Sequence, residues 1–179
     1  MKVWKATPLA VATALVLAGC AAATEPGPVP TRSLEPSWAE GATSLGELIE
    51  KADAVVVGTV ESTAAAEEAE FGALTDSTIR VETWAKSASE EPETMVIRQT
   101  GGVADGVFFQ IEDDPLLRVG ERGVFFVRHA ADRGVYVVLG GPTGRFTVTG
   151  DDAVPFPGSA LGGLAPQKMD LLIQEVRGS

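Results

Sequence analysis

Three groups of side chains in this 179-residue chain could do chemistry: the single cysteine, Cys20, the single histidine, His129, and the carboxylates Asp105, Glu112, Asp113 and Asp114. A thiolate can attack a substrate, bind a metal or be modified. A histidine serves as a general base only when the fold pairs it with an acid and a nucleophile. No Gly-x-Ser-x-Gly elbow accompanies this one, and strand alternation puts His129 on the face of Phe125 and Val127, which is a structural position at a strand end. The carboxylates admit two chemistries. They could hold calcium on a loop, although their spacing is not that of an EF-hand. They could also supply the acid and base of a glycosidase-like hydrolase, if two of them flanked a cleft. The glycine-rich "GGPTGRF" lacks the Gly-Lys-Ser/Thr ending of a phosphate loop and reads as a turn.

What surrounds Cys20 decides its chemistry. Lys2 and Lys5 precede the apolar run "LAVATALVL", and "AG" follows it, the three parts of an export signal over residues 1–19. The run is far short of the ~20 apolar residues that span a bilayer. Leu17-Ala18-Gly19-Cys20 resembles a bacterial lipobox, and that resemblance implies cleavage before Cys20 and a diacylglycerol on its sulfur. The protein is then held on the extracytoplasmic face of the cell membrane by lipid. No free thiol remains for catalysis or for a cysteine zinc site.

Loss of residues 1–19 removes two of 14 basic groups and none of 25 acidic ones, which leaves a net charge of −13. Such a chain repels nucleic acid, whose phosphates must be neutralised by Lys and Arg. It is also repelled by an anionic bilayer surface, so the lipid has to do the anchoring.

Residues 20–43 carry Pro26, Pro28, Pro30 and Pro36 with little apolar periodicity, the composition of an extended, disordered tether. Trp38 is the exception in it, either docked on the domain or exposed. Residues 44–179 have the size of one domain. "TSLGELIEKAD" predicts a short helix: Thr43 or Ser44 can cap it, Glu47 stands at the capping-box spacing from Ser44, and Leu45, Leu48 and Ile49 share a face. Strand-length apolar runs follow at 54–62, 76–84, 94–100, 123–129, 135–140 and 144–150. "LAPQKMDLLIQEVRGS" closes the chain with an amphipathic helix, Met169, Leu172, Ile173 and Val176 on one face and Gly178 as its stop.

Sequential strands without helices between them exclude a parallel sheet built on crossovers. The fold class is mainly β: a small antiparallel barrel of five or six strands with a short N-terminal and a C-terminal α-helix. Gly58 inside the first strand, where a barrel must bend, and the long 101–121 segment favour an OB-like version. "ADAVVVGTV", "IRVETW", "VIRQTGG", "PLLRVGERGVFFV" and "GGPTGRF", in this order, resemble a group of uncharacterised secreted proteins and lipoproteins of actinomycetes and bacilli. The resemblance implies an architecture similar to the OB-type barrel of netrin-like domains, and it implies no activity. The inhibitors in that class act through a disulfide-fixed amino-terminal cysteine, which Cys20 is not.

Two functions follow as expectations. The first is a non-catalytic envelope module that binds a protein, peptide or glycan without a cofactor. The second is a carboxylate-based extracytoplasmic hydrolase drawing on Asp105, Glu112, Asp113 and Asp114. For the module, the candidate surface is Val107, Phe108, Phe109 and Ile111: adjacent phenylalanines in an extended chain point to opposite sides, so one of them is expected at the surface as an interface anchor, the alternative being a short extra strand or plug covered on both faces by the barrel and the carboxy-terminal helix.

Overall fold

The computed structural model describes residues 29–35, 38, 40–66, 72–87 and 91–179. The export signal, Cys20, and residues 67–70 and 88–90 of the acidic runs "AAAEEAE" and "ASEEPE", which read as exposed loops, lie outside the described residues. The described residues are mainly β with two α-helices.

The first helix, α1 (Leu45–Lys51), forms where its cap predicts. Ser44 Oγ accepts a hydrogen bond from Glu47 N at 3.2 Å. The reciprocal bond lands one residue earlier than the standard box: Glu47 Oε2 accepts from Thr43 N at 2.8 Å and from Thr43 Oγ1 at 2.9 Å. Those bonds and Lys51, four residues on, hold the Glu47 carboxyl down at about 2, the Lys51 bond being the largest cause. Leu45, Leu48 and Ile49 are the buried face.

All six apolar runs are strands: β2 (Ala54–Ala65), β3 (Leu74–Lys86), β4 (Thr94–Ala104), β6 (Arg122–Ala130), β7 (Val135–Val138) and β8 (Arg145–Thr149). Four further strands, not read from these runs, bring the total to ten among the described residues. The additional ones are β1 (Thr31–Leu34), β5 (Val107–Ile111), β9 (Asp152–Pro155) and β10 (Gln167–Lys168). Each is short and gains its ladder from a neighbour rather than from its own pattern. β1 lies inside the stretch read as a disordered tether and pairs in parallel with β5, so this part of the tether is bound to the domain.

β2 pairs antiparallel with β3 on one side and β6 on the other, and β3 pairs with β4. The amino-terminal half of β6 pairs with β8, and its carboxy-terminal half with β7. β7 also meets β4 in parallel, Tyr136 opposite Ile97. β9 and β10 extend the sheet beyond β8. Register slips in the β2–β3 ladder fall at Val55/Val56, Val57/Gly58 and Val60/Ser62. Gly58 is needed there, since a Cβ on it would sit 2.6 Å from Ile79 Cγ2 and 2.7 Å from the Arg80 carbonyl oxygen.

Period-two alternation divides the apolar residues between two cores. Val55, Val57, Val124, Phe126 and Phe146 face α1 and the second helix, α2 (Met169–Gly178). Val56, Val60, Phe125 and Val127 face the other way, with Ile79, Met95 and Ile97. A strand buried on both sides reads as an uninterrupted apolar run, which is why "AVVV" and "VFFV" show little alternation. On α2, Leu172 and Val176 are buried, and Met169 and Ile173 pack against the same core. Gly178 is its last helical residue rather than its stop, and Ser179 is the cap.

Candidate functional site

The carboxylates singled out from the sequence are not one site. Asp105 is exposed at φ 51° in the turn from β4 to β5, followed by Gly106 at φ 74°, the two positive-φ residues of a tight hairpin. Glu112 and Asp113 are exposed. Asp114, offered as a calcium ligand or catalytic acid, is buried, and its Oδ1 accepts from Arg145 Nη1 at 3.0 Å. The same guanidinium donates to the Pro115 carbonyl at 2.6 Å and to Glu121 Oε1 at 3.0 Å, and stacks 4.7 Å from the Phe156 ring centre. Burial pushes the Asp114 carboxyl up, and the charge of Arg145 opposes that rise. This network pins residues 114–121 to β8, a structural task that takes Asp114 out of the proposed ligand set. No three His, Cys, Asp or Glu side chains gather as a metal site among the described residues.

His129 is exposed at the end of β6 and stacks on Tyr136 at 4.7 Å. Val107, Phe108 and Phe109 lie half-buried in β5, and Ile111 is buried. Of the two readings of this segment, binding loop or short extra strand, it is the strand, paired on both edges, by β4 and by β1. Arg32 of β1 lies over Phe109 at 5.9 Å. Neither phenylalanine is exposed in the way an unshielded interface anchor would be.

The described residues form a different site, a groove of about 430 Å³ beside the β6–β7 hairpin. Its floor is Ala130, Val137, Val138 and Leu139, with His129 at the edge. Val137 is 38 % exposed because alternation turns it away from the core that takes Tyr136 and Val138. One wall comes from the supposed tether: Trp38 and Glu40. Trp38 is seated on Gly141, where a Cβ would stand 2.4 Å from the indole. Gly140 and Gly141 adopt φ 62° and 56°. The glycine pair therefore serves the turn and also makes room for the tryptophan.

Charges line the rim. Arg128 Nη2 meets Glu40 Oε2 at 2.8 Å, and Arg128 Nε donates to the Lys51 carbonyl at 3.0 Å. Asp53 Oδ2 accepts from the His129 backbone N–H at 3.0 Å. Apolar walls with a polar rim suit ligand capture. Among the described residues the titratable groups of the lining are the Glu40 and Asp53 carboxylates, the His129 imidazole and the Arg128 guanidinium.

A larger hollow of about 770 Å³ lies where α1, α2 and the end of β3 meet. Its Lys86 is committed to the carbonyls that close α1, Ile49 at 2.7 Å and Glu50 at 3.3 Å.

Sequence reasoning noticed Trp38 but missed Glu40, Asp53, Arg128 and Val137. The one available signal was two adjacent glycines ahead of Pro142, more conformational freedom than a turn alone requires. The chain matches no family model and no curated protein.

Proposed function

We propose that this chain is an envelope lipoprotein, anchored by lipid on Cys20 to the extracytoplasmic face of the membrane after removal of residues 1–19. Its domain is a non-catalytic module that binds a protein, peptide or glycan and needs no cofactor. We read the domain as an OB-like barrel, akin to the secreted and lipoprotein group that its strand motifs resemble. In support, the pairings run from β2 through β3, β4, β7 and β6 and return to β2, the circuit that a small five-stranded barrel requires. Such barrels take ligands on one face and its bordering loops.

The observation that carries the binding function is the groove beside Trp38: open, walled by apolar side chains and rimmed by both signs of charge. The test places a benzophenone amino acid at Val137 in intact cells, with the same probe at Leu171 on α2 as control; Leu171 is 58 % exposed and does not line the groove. A discrete adduct at 137 but not at 171 is expected. No adduct at 137, or the same adduct at both positions, overturns the assignment.

A further inference from the structure

We propose that β1 together with Trp38 and Glu40 forms a reversible strap, whose docked state completes the groove and whose release both opens it and lengthens the tether. The proposal rests on the groove reading and on lipidation at Cys20.

The strap is fastened at two places. β1 adds to the edge of β5, where the Phe108 N–H donates to the Pro30 carbonyl at 2.8 Å and the Glu112 N–H to the Leu34 carbonyl at 3.1 Å. Trp38 rests on Gly141, and Glu40 pairs with Arg128. Both attachments are shallow. β1 has four residues, three of them exposed, and pairs only with β5. Parallel pairing is the weaker kind, and segments with few buried apolar contacts open below the cost of global unfolding. Trp38 remains 42 % exposed, and the Glu40–Arg128 pair is 48 % and 40 % exposed, which leaves it screened by solvent.

The chain is held firmly from residue 41 onward. The Gly41 carbonyl accepts from Lys51 Nζ at 2.7 Å, Ala42 is buried, and Thr43 is bonded to Glu47. Gly41 is thus where a moving strap would hinge. Release would carry Trp38 and Glu40, one wall of the groove, away with it. It would also change reach. Docked, residues 21–30 separate the lipid from β1, ~30 Å if fully extended as polyproline; released, residues 21–40 would span ~60 Å. A ligand that contacts Trp38 would hold the strap down and the domain near the membrane, and by linkage a docked strap raises affinity for that ligand.

Hydrogen exchange on the whole mature chain, extracted in detergent with its lipid, tests the strap without any ligand, so its outcome is independent of whether the groove binds anything. The Phe108 and Glu112 amides report β1. The Val60 and Val81 amides, bonded to the Glu121 and Glu93 carbonyls at 2.9 and 2.8 Å and away from the groove, report the core. The strand amides are expected to exchange at least ~100-fold faster than the core pair. Trp38→Ala, which touches neither strand amide, should speed both about tenfold more while the core amides stay slow. Gly141→Ala, which fills the seat of Trp38 from the other side, should act in the same direction. Strand amides as slow as the core, or unchanged by both variants, would overturn the proposal.

Discussion

Arg145 shows how a side chain with catalytic potential is absorbed by structure. It is 3 % exposed, meets two carboxylates and a carbonyl, and lies against Phe156. A buried ion pair of this kind contributes little net stability while intact, but losing one partner strands the other charge. Arg145→Met should therefore cost ~3–5 kcal/mol at pH 7. The pH dependence has a definite sign. Burial raises the Asp114 carboxyl, and without Arg145 only the weaker Gln99 hydrogen bond opposes that rise. A carboxyl raised in the folded state binds its proton more tightly folded than unfolded, so stability is greatest below the unfolded value, ~3.9, and falls as pH rises through the folded one. The deficit of Arg145→Met relative to the parent should shrink between pH 7 and pH 4. Thermal melts of both proteins at the two pH values check this, and a deficit that grows toward acid would show that Asp114 is not the stranded group.

Among the elements, α2 makes the plainest case. Its apolar stripe covers one core, so truncating the stripe and truncating the opposite face should differ sharply. Leu172 is fully buried and Leu171 is 58 % exposed. Leu172→Ala should cost ~2–5 kcal/mol, and Leu171→Ala should stay within ~0.5 kcal/mol. Chemical denaturation of both variants reads the difference, and equal losses would mean that the helix does not pack by this face. Elements of this sort were legible in the sequence because their pattern states their environment: β-branched runs for β2 and β6, period 3.6 for α2, and a cap three residues from its acid for α1. β1 was not legible. "TRSL" carries no alternation, its flanking prolines argue for extended chain, and what makes it a strand is the edge of β5 more than seventy residues later. β5 was hidden by glycines and acids that belong to its hairpin turn. The groove was least legible of all: Trp38 stood out in its window, but Glu40, Asp53, Arg128 and Val137 are ordinary residues in theirs and meet it only because β6, β7 and the strap converge. The carboxylate cluster misled for the opposite reason: neighbours in sequence, one was turned inward to Arg145 and the others outward to solvent.

At the scale of the whole molecule, charge and anchor have to be considered together. With residues 1–19 gone the chain carries −13, and repulsion from anionic headgroups acts over roughly a Debye length, ~8 Å at physiological salt. No described helix is long and apolar enough to cross a bilayer. On this reading the membrane holds the protein through acyl chains alone, which contribute ~0.8 kcal/mol per buried methylene and hold stably when more than one chain is present. On the same reading sulfur is the atom that takes the diacylglycerol, so Cys20→Ser removes the anchor and leaves the domain, whose first strand begins at Thr31, untouched. Fractionation of cells expressing the parent and the variant, with the mass of each product measured, is the check. The parent should be found with the membranes, and Cys20→Ser should appear either in the soluble fraction or as a heavier uncleaved precursor. A variant that is still cut before residue 20 and still sediments with membrane would mean that something other than this sulfur holds the protein, and the short-tether geometry built on it would fall as well.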